Sequence, residues 1–386
     1  MMDETYLQFF VKSFTYLNML PEKTTFCTTI QQYYVSVIIT ITTFPILADL
    51  VSQFYEESIS FTSVNENFVA LSALFAVIYV SVCFINRKHK IRALIADLAL
   101  FETFSSKAVI TETDKSVKFY TKLFIVYGIV GNLCYGLLPI LGYKKCHESK
   151  SVHMTRYGIP CGLVVRFLFP FKFDYSPLAE LVALYEILVC ILGTSVVIVV
   201  TTLICGVLIH ITVQLQCLRK IILDLSQVND LEILEHKMKF CVKYHTAILD
   251  YGIRTDLAFN QMMLLHITWT GFIISVLGFE ISTTDDYVEA FRFFMHLLGW
   301  LGMLFVVCYY GQKILDESLA IADAVYTFLW YKKSVIVQRY VLLILLRSQK
   351  PLTLRACGVK VMSLATFLGV LYSAYSYFTL LLKLKP

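Results

Sequence analysis

Residues 181–211 read LVALYEILVCILGTSVVIVVTTLICGVLIHI, with one carboxylate, Glu186, and neither lysine nor arginine. About 20 mostly apolar residues suffice to cross a bilayer as a helix, and this run is longer. Six further segments meet the same criterion: 33–54, 67–85, 119–141, 257–279, 292–312 and 356–382. Seven spans spread from end to end leave no room for a separate soluble domain. Residues 1–386 therefore read as one polytopic, all-α membrane domain. Composition agrees: the chain is 58% hydrophobic and 16% charged, against roughly 45–50% and about 25% in soluble proteins. The net charge of +5 carries little information about nucleic acid, because in a membrane protein the placement of loop charges matters more.

Loop charge sets the expected orientation. The loops at 86–118, 212–256 and 313–350 hold seven, six and six Lys/Arg, whereas 55–66 and 280–290 hold none and are acidic. Basic loops stay cytoplasmic, which predicts a cytoplasmic N-terminus and an external C-terminus. One loop, 142–180, dissents: it falls outside yet carries six Lys/Arg. The N-terminal stretch MMDETYLQFF lacks a basic n-region, so the first span is expected to direct insertion. This orientation is the reverse of a G-protein-coupled receptor, and no Asp-Arg-Tyr follows the third span. Leu231, Leu234, Met238, Val242, His245 and Leu249 recur at helical steps, as do Leu315, Leu319, Ala322, Val325 and Leu329. These stripes predict amphipathic helices continuing spans five and six into a cytoplasmic bundle.

Signals for cofactor chemistry are missing from the sequence. His236, Cys241 and His245 do not complete a four-ligand set. There is no Walker A loop, G-x-G-x-x-G or H-E-x-x-H, so neither an enzyme nor a cofactor or metal site is expected. Most of the eleven cysteines lie within apolar runs. Cys146 and Cys161 instead share the 142–180 loop, where a disulfide and two free thiols remain alternatives; a ring of that size contributes about 3 kcal/mol in the loop-closure treatment. Asp49 and Glu186 are ionisable groups inside spans and hence functional candidates.

The C-terminal third carries a resemblance. Gly311, Glu317-Ser318, Ala324, Tyr326 and Trp330 are followed by Arg347-Ser348-Gln349-Lys350-Pro351-Leu352, Ser363, Thr366-Phe367, Val370 and Ser373-Ala374-Tyr375-Ser376-Tyr377-Phe378. In order and spacing this resembles the insect odorant receptor family. The resemblance implies a ligand-gated, non-selective cation channel of four subunits in the plasma membrane of sensory neurons. In it a divergent odorant-binding subunit pairs with the longer Orco co-receptor. The short 212–256 loop places this chain with the odorant-binding kind. A gustatory-type receptor, working without the co-receptor, is the rival; a transporter would need inverted repeats that the sequence lacks.

The resemblance also implies a split seventh helix lining the pore. Its hydroxyls (Ser363, Thr366, Ser373, Tyr375, Ser376, Tyr377) suit a wet face, although such groups also bond back to their own helix. Alignment on Tyr377-Phe378 places the hydrophobic gate at Leu380, and puts Lys383 where the co-receptor has a glutamine. A small volatile odorant is expected among spans two, three, four and six. The candidate lining residues are Phe68, Ser72, Phe75 and Tyr79; Asn132, Tyr135 and Gly136; Tyr185, Val189 and Leu192; and Phe291, Phe294, Met295 and Leu298. Remaining apolar faces meet membrane lipid.

Overall fold

A computed structural model describes residues 6–20, 31–55, 61–148, 150–228 and 230–384. A short helix α1 (Gln8–Tyr16) precedes α2 (Tyr34–Gln53), α3 (Phe61–Asp97) and α4 (Lys107–Leu141). Two short helices, α5 (Tyr143–Glu148) and α6 (Val152–Tyr157), interrupt the next loop. Then come α7 (Leu178–Asp224), α8 (Leu231–Thr283), α9 (Tyr287–Thr327), α10 (Val335–Ser348) and α11 (Leu364–Leu384). Among the described residues, seven helices (α2, α3, α4, α7, α8, α9 and α11) are long and apolar enough to cross a membrane.

Several helices far outrun a bilayer. The 53 residues of α8 extend about 80 Å at 1.5 Å per residue, against a hydrocarbon thickness of about 30 Å. The surplus is the predicted amphipathic extension: of its stripe Leu234, Met238, His245 and Leu249 are buried and Val242 half-buried, while Leu231, in the first turn, is exposed. α7 is buried on every side from Val196 to Leu208, apart from the half-buried Val197, the pattern of a helix at a bundle's centre. Its first turns differ, exposing Leu181, Leu184, Leu188 and Ile191. A similar apolar stripe runs along α2 through Val37, Ile41, Phe44, Leu47 and Val51. Such stripes meet lipid without penalty. Helix starts follow capping chemistry: Asp230 accepts from the Glu232 and Ile233 N–H groups at 2.9 and 3.2 Å, and Asp286 from Val288 at 2.9 Å.

The seventh span departs from its expected limits. It begins at Leu364 rather than at 356, because Arg355–Ala356 and Lys360–Val361 pair as an antiparallel hairpin. Gly358 at φ +74° supplies the left-handed turn, and Ser363 Oγ accepts from the Thr366 N–H at 3.2 Å to start the helix. The seventh helix is thus split: α10 and α11 are joined by an elbow clamped onto α8 and α9. Leu352 N–H donates to Ser318 Oγ at 3.0 Å, Arg355 N–H to Asp256 Oδ1 at 2.6 Å and Cys357 N–H to the Asn260 carbonyl at 3.0 Å. Gly311 and Gly252 let the Met362 carbonyl and the Leu352 side chain approach where a Cβ would stand.

Candidate ligand-binding site

A cavity of about 250 Å³ lies between α2, α3, α4, α7 and α9, with His266 contributed by α8. The loop before α7 folds back over it and inserts Val164, Val165 and Phe167. That strap is pinned at several points. Val164 N–H donates to Glu186 Oε2 at 2.7 Å, Leu168 N–H to the Pro45 carbonyl at 3.0 Å and Arg166 Nη1 to Ser63 Oγ at 2.6 Å. Cys146 and Cys161 are joined as a disulfide, their Cα atoms 5.9 Å apart. Basic residues that made this loop dissent are engaged locally, among them Arg166, and Lys150, which is 3.5 Å from Asp174.

The walls are mostly aliphatic and aromatic, with a few polar groups that largely bond one another. Asn132 donates to the Gly128 carbonyl at 2.8 Å and accepts from Thr194 at 3.3 Å. Tyr127 donates to the Met295 carbonyl. Arg292, 6% exposed, donates to Glu66 at 3.0 Å and lies 5.1 Å over the Tyr135 ring. Trp300 Nε1 donates to His296 Nε2 at 3.0 Å, and His296 Nδ1 meets the Tyr135 hydroxyl at 3.2 Å. Glu186 is buried, and among the described residues its Oε1 meets no partner in good hydrogen-bond geometry. A second cavity of about 230 Å³ lies further along α4, α7 and α9 and shares Met303 with the first.

The model of the 7tm Odorant receptor family matches residues 60–375, most of the chain. The chain belongs to that family. Odorant receptor Or2 of Anopheles gambiae is 28% identical over 145 residues, 38% of each chain. Odorant receptor 82a of Drosophila melanogaster is 25% identical over 279 residues, 72% of this chain and 70% of that one. The match spans under two fifths of the length of the first curated relatives. The olfactory receptor OR5 of Machilis hrabei, solved in complex with eugenol, superposes with a TM-score of 0.76 at 17% identity, covering 99% of this chain and all of that one. The likeness shows a shared fold; family membership and the seven apolar helices make the chain a multi-pass odorant receptor and not an enzyme.

Within this odorant receptor, Asn132, Tyr135, Val189 and Met295 line the cavity, as does Glu186. The other ten candidates lie elsewhere. On α3, Phe68 and Phe75 pack against Phe272 and Trp269 of α8. On the same face the Ser72 carbonyl accepts from Trp269 Nε1 at 2.9 Å, and Tyr79 donates to the Gln261 carbonyl at 3.2 Å. The cavity face of α3 is the adjacent one, through Glu66, Val69, Ala70, Ala73, Leu74 and Val77. Gly136 receives Ile187 of α7, Tyr185 meets Thr42 at 2.7 Å, and Leu192 packs into the core. Phe291, Phe294 and Leu298 are exposed on the outside of α9. Asp49 is buried away from the cavity, accepting from Gln53 and Asn67 at 2.6 and 2.7 Å. The residues the sequence reading missed, Arg292, His296 and Trp300, carried a signal: two are ionisable groups at or inside a span.

α11 packs one side on α8, where Gly271 faces Val370 and Gly278 faces Phe378. Tyr372, Ser376, Leu380 and Lys383, at steps of four, four and three, share an exposed face. The hydroxyls do not by themselves mark a wet surface. Ser373, Ser376 and Thr379 bond back to their own helix at 3.0, 3.0 and 2.9 Å.

Proposed function

We propose that this chain is the odorant-binding subunit of a ligand-gated, non-selective cation channel, assembled with Orco co-receptor subunits in the plasma membrane of sensory neurons. A small volatile ligand occupies the strapped cavity and opens a pore lined by α11. The cavity carries this reading. Its volume of about 250 Å³ sits just below the roughly 300–1,000 Å³ typical of drug-sized ligands. Its walls are apolar with a few placed polar groups, which matches small, weakly polar odorants. Family membership supports the channel. The exposed face of α11, ending in Leu380 and Lys383, supports that helix as the one that meets other subunits and the pore. Leu380 serves as the hydrophobic gate, since an apolar constriction closes by dewetting. Lys383, a cation beside a cation path, makes this chain a poor pore alone and favours assembly with co-receptor subunits.

The topology follows from the loop charges: N-terminus cytoplasmic, C-terminus external, with the strap and its Cys146–Cys161 bridge in the oxidising extracellular compartment. The test is expression with and without the co-receptor, recording current against an odorant panel. Odorant-evoked cation current is expected only with the co-receptor. Equal currents from the chain alone would reject the obligate pairing.

A further inference from the structure

We propose that the Tyr135 hydroxyl is the hydrogen-bond donor that makes the cavity select neutral carbonyl compounds (ketones, aldehydes and esters) over hydrocarbons and carboxylates of the same shape. The proposal rests on the reading of this cavity as the odorant site.

The chain of donors has only one polarity. An indole N–H can donate but not accept, so the 3.0 Å contact from Trp300 requires His296 Nε2 to be the unprotonated ring nitrogen. In a neutral imidazole the proton then sits on Nδ1, which donates to the Tyr135 oxygen 3.2 Å away. That bond uses a lone pair of the phenol and leaves its own proton unspent. Among the described residues only His296 meets this hydroxyl. Tyr135 lines the cavity, so the unspent donor is available to whatever occupies it. Arg292 strengthens it: a guanidinium 5.1 Å over the ring centroid draws electron density from the phenol.

The same surroundings disfavour an ionised ligand. Among the described residues the one cation lining the cavity, Arg292, already has its charge offset by Glu66 at 3.0 Å, with only its Nε–H left without a partner, so a carboxylate would be a second anion on one cation. Glu186 adds a buried carboxyl group to the wall, and a charge entering an apolar cavity without a counter-ion is costly. A neutral carbonyl oxygen needs one donor and no counter-charge.

The experiment uses the full chain with its co-receptor and concentration–response curves for 2-heptanone, heptanal and pentyl acetate. The comparison ligands are 2-methyl-1-heptene, in which a methylene replaces the ketone oxygen, and heptanoate. The carbonyl compounds should act at lower concentration than the alkene and the acid. Tyr135→Phe should raise the half-maximal concentration of the ketone by about 3- to 10-fold, the range of a single net hydrogen bond, and leave the alkene where it was. Trp300→Phe removes the indole donor, so the His296 proton can move to Nε2 and Nδ1 can take the Tyr135 proton. It should therefore move the ketone in the same direction as Tyr135→Phe. Equal shifts for ketone and alkene in Tyr135→Phe, no shift for either, or silence to all three carbonyl compounds would overturn the assignment. Val189→Phe, which fills the cavity, separates the two levels. If it leaves every response unchanged, the cavity is not the odorant site. If it suppresses all responses while Tyr135→Phe discriminates nothing, only the donor role fails.

Discussion

A single methyl group added at Gly311 is expected to destabilise this receptor, whereas the same change nine residues earlier in the same helix is not. A Cβ at Gly311 would meet the Met362 carbonyl oxygen, with the carbonyl carbon at 3.0 Å and the Met362 Cβ at 3.1 Å. Carbon atoms prefer about 3.5–4.0 Å, so something must move, and the obstructing atoms are chiefly backbone. That backbone is held by the Met362 N–H donating to the Leu354 carbonyl at 2.8 Å, and Leu352 is tied to Ser318. Overpacking of this kind costs about 1–3 kcal/mol, roughly 5- to 150-fold in the folded-to-unfolded ratio. At Gly302 the nearest atom to an added Cβ is Phe124 Cε1 at 3.9 Å, an ordinary contact. There alanine should gain up to about 1 kcal/mol of helix propensity. Thermal melts of the detergent-solubilised receptor, followed by size-exclusion of a fluorescent fusion, should show Gly311→Ala melting lower and Gly302→Ala melting at or above the parent. Indistinguishable melting of the two variants would refute the close approach of elbow and α9.

An epitope placed after Pro386 should be reached by antibody on intact cells and one before Met1 should not; the opposite staining would sink the proposed orientation. Peptides from non-reduced protein should contain the Cys146–Cys161 pair, and alkylation of both sulfurs before reduction would reject the bridge. In the assembled channel, Leu380→Ala should let water wet the constriction and raise resting current. Lys383→Gln should raise conductance or divalent permeability, because unit charges a few ångströms apart interact by about 1 kcal/mol even in water. Wild-type resting current and permeability with altered odorant preference would make α11 a ligand wall instead.

The membrane spans were legible because long apolar runs carry them, and so was the extension of α8; on α9 the expected stripe is one position off, with Leu319 and Leu329 exposed and Ile314, Ser318 and Ile321 buried instead. The Leu234-to-Leu249 stripe is buried along α8 as its period requires. The pocket was legible only in part. Spacing tells which residues share a face but not which face looks inward when a helix is apolar all round. On α3 the aromatic stripe Phe68–Phe75 turned toward Trp269 and Phe272, since large rings find their partners in a neighbouring helix. The smaller Val69, Ala73 and Val77 were left to border the cavity. The strap has no periodicity at all, so Val164 and Phe167 gave no warning. The charge rule picked out both Asp49, which lies away from the cavity, and Glu186, which the resemblance favoured and which lines it; the same rule applied to Arg292 and His296 would have reached the polar side of the cavity. In the seventh span the hydrophobic reading ran past Gly358 and Ser363, whose turn and cap chemistry set the true start of α11.

Helix α9 carries His296 at the cavity and Ser318 at the elbow, about six turns and 33 Å apart along one axis. Among the described residues it runs unbroken from Tyr287 to Thr327, with no proline to give it a joint. A rod of this kind would work as a lever. A tilt of only about 5° pivoted near His296 would carry the Ser318 end through about 3 Å over that length. That is comparable to the whole reach of the hydrogen bond by which Ser318 holds Leu352. A ligand seated at His296, as proposed above, would thus have in this helix the mechanical advantage to disturb a contact about 33 Å away.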